Sequence, residues 1–211
     1  MIAAAERLLR GDLSGTPDAR SCLAVGAIGS ALFGLVLGAS SAEPWLAVFA
    51  AVKLPLLLVT TSLLCLPSFW VIHAVLGLRD DFAAAMRGLL SAQAVLGLTL
   101  GALAPFAVLS PLTVADPYAL TLFDAVLLGV ASLAAQQVLA RHYRPLIARD
   151  PRHRRTLASW LVLYAFAGVQ LAWVMRPFRG TPGYAVQFLR PEAFAQNAYV
   201  VLFEHLGRLF R

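Results

Sequence analysis

Residues 45–78 read WLAVFAAVKLPLLLVTTSLLCLPSFWVIHAVLGL, a long apolar stretch that indicates the fold class most clearly. Its 34 residues are interrupted mainly by Lys53, Pro55, Pro67 and His73. A transmembrane helix needs about 20 apolar residues, so the stretch is too long for one straight span. It therefore predicts an interfacial segment over residues 45–52, followed by a membrane-spanning helix over residues 54–77.

The rest of the chain continues this apolar pattern. Of the 211 residues, 60% are hydrophobic and 13% are charged, and the mean hydropathy is +0.75. This composition excludes a disordered chain, which needs low hydrophobicity and high charge. It also argues against a soluble domain, because so small an interior could not bury that much apolar surface. Apolar runs predict four further spans, over residues 22–39, 88–109, 119–140 and 156–175.

The predicted architecture is all-α, an integral membrane helical bundle of about five transmembrane helices with additional interfacial amphipathic helices. Residues 1–21 are interpreted as a cytoplasmic amphipathic arm, and residues 22–175 as the five-span bundle. Residues 176–211 are interpreted as a turn-rich loop followed by an interfacial tail helix. The apolar part of this tail, residues 198–203, is too short to cross a bilayer.

The distribution of arginine predicts the orientation. Segments 1–20, 79–87 and 141–155 contain 11 of the 17 basic residues, whereas residues 40–44 and 110–118 contain none. Basic residues concentrate in cytoplasmic loops, so the N-terminus is predicted to be cytoplasmic. Sixteen of the 17 basic residues are arginine, which indicates a GC-rich bacterial genome. The predicted location is the bacterial inner membrane.

Two alternatives to this topology remain open. The small residues at 39–42 resemble a signal-peptide cleavage site, in which case the first apolar run would be removed. The tail helix could also re-enter the membrane and return the C-terminus to the cytoplasmic side.

Small residues recur at every fourth position of the first predicted span. They are Gly26, Ser30, Gly34 and Gly38. Such a stripe allows another helix backbone to approach closely. The third span carries a shorter version, Gly97-xxx-Gly101. The simplest arrangement packs the two stripes against each other within one molecule, and the alternative is an interface with a second copy or a partner subunit.

Two charged residues, Lys53 and Asp124, lie within or beside the predicted spans, both towards the outer side. A carboxylate in the hydrocarbon region is costly unless it is paired or neutral. The matching depths predict a Lys53–Asp124 ion pair or an ion site. The alternative is that Asp124 lies close enough to the interface to reach water.

A proline and nearby hydroxyl groups predict a kink in the second span. Pro67 removes a backbone donor and bends the helix. Hydroxyl groups such as those of Thr60 and Thr61 can satisfy the freed carbonyl groups. This pattern indicates either a gating element or a structural kink without transport.

The segment that follows the fifth span reads MRPFRGTPG and is rich in arginine, proline and glycine. Arg176, Arg179 and the later Arg190 predict a docking site for an anion or a partner, or contacts with lipid phosphates. An enzyme would have to use these arginines together with Glu204 and His205. Because no nucleophile–base pair, phosphate loop or metal-ligand spacing occurs, no catalytic residue, metal or cofactor is predicted.

Two stretches carry a family resemblance. One is KLPLLL at residues 53–58, continuing through CLPSFW at 65–70, and the other is GVQLAWVMRPFRG at 168–180. They resemble a broad group of bacterial multi-pass membrane proteins of uncharacterised function. A Pro-kinked span, a Gly-ended turn and a linker containing Phe82 also weakly resemble bacterial members of the Yip family. The resemblance implies a five-span protein linked to membrane organisation and trafficking partners, without catalytic residues.

These features together predict a non-enzymatic inner-membrane protein that acts as a packing or accessory subunit of a membrane complex. Its expected partners are membrane lipids and either further copies of the chain or another membrane protein, with no nucleic acid. The alternative is a small oligomeric channel or transporter with Asp124 and the Pro67 kink in its path.

Overall fold

A computed structural model describes residues 19–40, 43–114, 116–176, 178–180, 187–189 and 198–200. The described residues are 90% helical and contain no strand. They form α1 (Ala19–Ala39), α2 (Pro44–Val75), α3 (Phe82–Thr113), α4 (Pro117–Arg149) and α5 (His153–Met175), with a single 3-10 turn at Arg79–Asp81.

All five helices are long and apolar enough to cross a membrane. The predicted all-α bundle with five spanning helices is therefore confirmed. Most of the predicted N-terminal arm, residues 1–18, lies outside the described residues. Of the predicted tail helix, the structure describes residues 198–200, which are helical, and residues 201–211 lie outside its description.

Local sequence signals set two helix starts. The carboxylate of Asp116 accepts a hydrogen bond from the backbone N–H of Ala119 at 2.7 Å and so caps the N-terminus of α4. Pro117 follows at the first helical position, where its missing N–H has no partner to lose. Pro44 begins α2 in the same way.

A glycine turn ends α2 at its C-terminus. Gly77 adopts a φ of 71°, a left-handed conformation that favours glycine. The backbone N–H of Leu78 then reaches back to the carbonyl of His73 at 2.8 Å, and that of Gly77 to the carbonyl of Ala74 at 3.2 Å. This pair of bonds closes the helix and turns the chain towards α3.

The predicted boundary between an interfacial segment and a span near residue 53 is wrong. α2 runs as one helix of 32 residues through both Pro55 and Pro67. An internal proline removes one hydrogen bond, and neighbouring helices can hold the backbone in place despite that loss. Leu46 and Ala50, which precede Pro55, are already buried within the bundle and extend its packed face.

The helices run alternately up and down. α1 packs most extensively on α3 and α2, α3 also packs on α4, and α2 also packs on α5. α4 and α5 touch each other less, and α2 and α3 hardly touch. The connections at residues 76–81 and 150–152 lie at one end, here called the basic end because Arg79, Arg152, Arg154 and Arg155 are exposed there. The connections at residues 40–43 and 114–116 lie at the opposite end.

Glycines bring α1 and α3 into direct backbone contact. A Cβ atom at Gly29 would overlap the carbonyl of Gly97, and one at Gly97 would overlap the carbonyl of Gly26. A Cβ at Gly101 would lie 3.2 Å from the Cα of Gly29. The hydroxyl of Ser30 is buried here and donates to the Gly26 carbonyl at 2.7 Å. Gly29, which did not belong to the predicted stripe, is thus central to this contact.

The second half of the stripe packs on a different helix. A Cβ atom at Gly34 would overlap the carbonyl of Ala50 on α2, and one at Gly38 would overlap the carbonyl of Leu46. Each four-residue step advances about 40° around a helix, so three steps turn the stripe by about 120°. The expected packing of Gly34 and Gly38 against the α3 glycines is therefore wrong, and the stripe contacts α3 first and α2 afterwards.

Candidate functional sites at the two ends of the bundle

Arg179 closes the opposite end by reaching from the segment after α5 to two helices, α3 and α4, and to the α1–α2 connection. Its guanidinium forms an ion pair with both carboxylate oxygens of Asp124 on α4. It also donates to Ser40 Oγ of the α1–α2 connection at 2.8 Å, and on α3 to Ser110 Oγ at 2.9 Å and the Ala107 carbonyl at 3.0 Å. The Arg179 and Asp124 side chains are only 11% and 15% exposed. We call this network the Arg179 clamp.

The clamp corrects the predicted Lys53–Asp124 ion pair, which is wrong because Arg179 takes both oxygens of the Asp124 carboxylate. The pair was expected from matching depths along the two helices, but α1 and α3 stand between α2 and α4 in the bundle. Lys53 is instead buried on α2, with its ammonium 5.2 Å from the ring centre of Phe188. This distance is that of a cation–π contact.

The predicted docking arginines do not come together within the described residues. Arg179 pairs with the Asp124 carboxylate of the same chain and not with an external anion. The guanidinium carbon of Arg176 stacks 3.2 Å from the ring centre of Trp173. Arg190 lies outside the described residues, as do Glu204 and His205, which were considered with these arginines.

The hydroxyl of Thr61, near the α2 proline, donates to a carbonyl group other than the one that the proline frees. Thr61 is buried and donates to the carbonyl of Leu57 at 2.7 Å, whereas Pro67 frees the carbonyl four residues before it, that of Leu63. Thr60 is half-buried. The expectation that these hydroxyls satisfy the freed carbonyl is therefore wrong for Thr61.

Thr61 and Asp124, which the transport alternative places in one path, lie at different helix contacts. A Cβ atom at Gly168 of α5 would meet the methyl group of Thr61 at 3.7 Å, so Thr61 faces α5. Asp124 binds Arg179, which also donates to Ser110 of α3. The described part of the chain does not bring the two polar groups to a common passage.

The basic end contains a cluster of buried polar rings. His73 at the end of α2, His153 at the start of α5 and Tyr143 of α4 are all fully buried. The ring centres of His73 and His153 are 6.2 Å apart, and those of His153 and Tyr143 are also 6.2 Å apart. Aromatic side chains enclose them, namely Phe69, Phe82 and Trp160. We call His73, His153 and Tyr143 the histidine cluster.

Each imidazole is oriented through one nitrogen, and the other nitrogen has no partner among the residues that the structure describes. His73 Nδ1 lies 3.0 Å from the Phe69 carbonyl, which can only accept, so this nitrogen carries the proton. His153 Nε2 lies 3.0 Å from the Asp81 carboxylate. Within the described chain, His73 Nε2, His153 Nδ1 and Tyr143 Oη are buried and form no hydrogen bond.

A histidine held by a carboxylate or carbonyl resembles a positioned general base or metal ligand. Yet the described residues contain no group of three or more His, Cys, Asp or Glu side chains that could hold a metal ion. In the sequence, His73 was noted only as an interruption of the apolar stretch and was not connected with His153. The available signal was that both lie at span ends on the same side of the membrane.

Arg152 ties the ends of α2 and α5 together beside this cluster. Its guanidinium donates to the Leu76 carbonyl at 2.8 Å and binds the carboxylate of Asp150. Hydrogen bonds from Arg152 lower the pKa of the Asp150 carboxyl to about 2. Asp150 therefore stays ionised and keeps Arg152 charge-compensated at ordinary pH.

No protein-family model, curated protein or solved structure matches this chain. The resemblance to the Yip family stays a prediction.

Proposed function

We propose that this chain is a non-enzymatic subunit of a membrane protein complex and that it docks through α4 and α5. The helices differ in how much of the apolar 18-residue stretch of each is buried within the chain. In α1, α2 and α3 the buried shares are 44%, 39% and 39% of the residues. The corresponding shares in α4 and α5 are only 17% and 11%. This difference carries the proposal, because two helices with so little internal packing leave a large surface for another protein.

The outward side of α4 has features that lipid alone does not explain. Apart from the neighbouring backbone of α4 itself, no atom of the described residues lies within 4 Å of the Cβ position of Gly129. Ala125, one turn before it, is also exposed. A glycine is a poor helix former, whereas it allows a second helix to approach closely. Further along, the amide of Gln137 is exposed, and such a group can bond across a helix–helix interface.

The location proposed for this subunit is the bacterial inner membrane, with the basic end in the cytoplasm. The support is the concentration of exposed arginines at that end, from Arg141 through Arg155, which matches the positive-inside pattern. Tagging of the N-terminus with a reporter that is active only in the cytoplasm tests this orientation. Activity supports the proposal, and inactivity of a folded, inserted fusion reverses it.

The docking proposal is tested by the mass and composition of the particle in nanodiscs made from native membranes. We expect a homo-oligomer or a complex with another membrane protein, and we expect Gly129→Ile to release the chain as a monomer. Ala102→Ile is the matched control, because it adds similar bulk at an exposed small residue of α3. A monomer in the unmodified chain, or equal release by both variants, would contradict docking through α4.

The channel or transporter alternative predicts a different result. A purified channel should release a trapped solute or ion from liposomes, whereas an accessory subunit on its own should not. Release of the solute or ion that requires the chain would contradict the subunit proposal and support a channel or transporter.

A further inference from the structure

An apolar groove lies between α2 and α5 just inside the basic end. Its volume is about 400 Å³, and its walls are Ile72, Ala158, Ser159, Val162 and Leu163. Ala158 and Val162 are exposed, so the groove opens outward from the bundle. Its walls offer one hydroxyl group and otherwise hydrocarbon, which suits an acyl chain better than a polar solute.

Two arginines stand directly above this groove. Arg154 and Arg155 precede Ala158 and Ser159 by four residues, which places each pair on one face of α5. Both arginines are exposed. Because helical side chains lean towards the N-terminus, their guanidinium groups project from the groove towards the membrane surface.

The nearby carboxylates do not neutralise these two arginines. The carboxylate of Asp150 binds Arg152, and that of Asp81 binds His153. Within the described ranges, the side chains of Arg154 and Arg155 form no hydrogen bond or ion pair. Two adjacent positive charges are therefore free to bind an external anion.

The mouth of the groove is also held in place. The hydrogen bond from Arg152 to the Leu76 carbonyl joins the end of α2 to the start of α5. A binding site whose walls are fixed in advance loses less conformational entropy when it is occupied.

We propose that this groove binds one anionic phospholipid, with its phosphate between Arg154 and Arg155 and one acyl chain along the groove. Arginine pairs well with phosphate oxygens because its planar donors match their geometry. A free phosphate would use the arginines but not the hydrocarbon walls, and a neutral lipid would use the walls but leave the charges unmatched. The order of cations and apolar walls along α5 therefore matches an anionic lipid.

The test is to titrate the purified chain, in a non-ionic detergent, with phosphatidylglycerol and separately with phosphatidylcholine of the same acyl chains. Native mass spectrometry then counts the lipids that stay bound. We expect one tightly bound phosphatidylglycerol and no comparable phosphatidylcholine. Arg154→Gln with Arg155→Gln should weaken phosphatidylglycerol binding about 25-fold, from the usual contribution of each arginine near an anionic surface.

A second pair of arginines gives the matched control. Arg141→Gln with Arg144→Gln removes the same charge from exposed positions of α4 and should leave the tight binding nearly unchanged. Ala158→Leu narrows the groove without altering charge and should also weaken binding. Equal loss in the Arg141 and Arg144 control would show diffuse charge attraction and overturn the proposal. Unchanged binding in Ala158→Leu would do so as well, and so would a co-purifying protein that covers the groove in place of lipid.

Discussion

The two ends of the bundle bury polar groups in opposite ways. At the opposite end, the guanidinium of Arg179 and the carboxylate of Asp124 satisfy each other, with two hydroxyls and a carbonyl completing the network. At the basic end, His73, His153 and Tyr143 each bury one polar atom without a partner among the described residues. The first network acts as a structural link, whereas the second retains hydrogen-bonding capacity.

This contrast shows that a polar residue inside a membrane bundle does not indicate transport by itself. Asp124 is the most conspicuous intramembrane acid in the sequence, yet its interactions hold α4 to α3 and to the segment after α5. The histidines are less conspicuous in sequence, but among the described residues they have the unsatisfied nitrogen atoms that a proton or a polar ligand would need.

The largest expected effect is at the Arg179 clamp. Arg179→Met leaves the largely buried carboxylate of Asp124 without its partner, and we expect the free energy of unfolding to fall by about 3–5 kcal/mol. Denaturation of the purified chain in mixed micelles measures this change. A second variant that combines Arg179→Met with Asp124→Leu should recover most of the loss, because no unpaired charge remains. Failure of the double variant to recover any stability would show that the ion pair is not the cause.

The glycine contact between α1 and α3, midway between the ends, tests whether close packing or polar pairing contributes more to the free energy of unfolding. A single methyl group in Gly97→Ala would overlap the carbonyl of Gly26, so α1 and α3 must separate, and we expect a loss of about 1–3 kcal/mol. Gly168→Ala is the control, since its methyl group would meet Thr61 at an ordinary 3.7 Å. Equal losses in the two variants would indicate a general effect of glycine replacement and contradict a specific contact.

How much of the structure could be predicted from the sequence depends on whether a feature is set by neighbouring residues or by contacts between distant ones. The five helices follow from the lengths of the apolar runs, which act locally and need no knowledge of neighbours. Gly29 was missed because it does not belong to the four-residue repeat of small residues. That repeat does not show where the stripe stops facing α3 and begins to face α2. The partner of Asp124 was missed because two residues at the same depth in the membrane need not lie on neighbouring helices.

At the histidine cluster, we expect smaller and differently signed effects. His73→Phe removes the Nε2 atom, which has no partner among the described residues, and also the Nδ1 hydrogen bond to the Phe69 carbonyl. That carbonyl keeps its backbone N–H donor within α2, so the free energy of unfolding should stay unchanged or rise by about 1 kcal/mol. His153→Phe should lower it by about 1 kcal/mol, because the hydrogen bond to Asp81 is lost. Chemical unfolding of both variants under the same conditions compares them. A loss in His73→Phe as large as that in Arg179→Met would remove the contrast between the two ends.

The smallest effect is expected at the surface of the basic end, where Arg152 binds Asp150. The pKa of Asp150 is lowered to about 2 by hydrogen bonds from Arg152. A lowered folded-state pKa means that the contribution is complete above the unfolded value near 3.9 and is lost as the pH falls towards about 2. Thermal unfolding of the wild type and Asp150→Asn should therefore differ slightly at neutral pH and converge in acid. Because the pair is exposed, the difference should also shrink in high salt. A difference that persisted below pH 2 would mean that Asp150 acts through its shape or its cap on the Arg152 backbone and not through its charge, which would make even this surface link part of the packed structure.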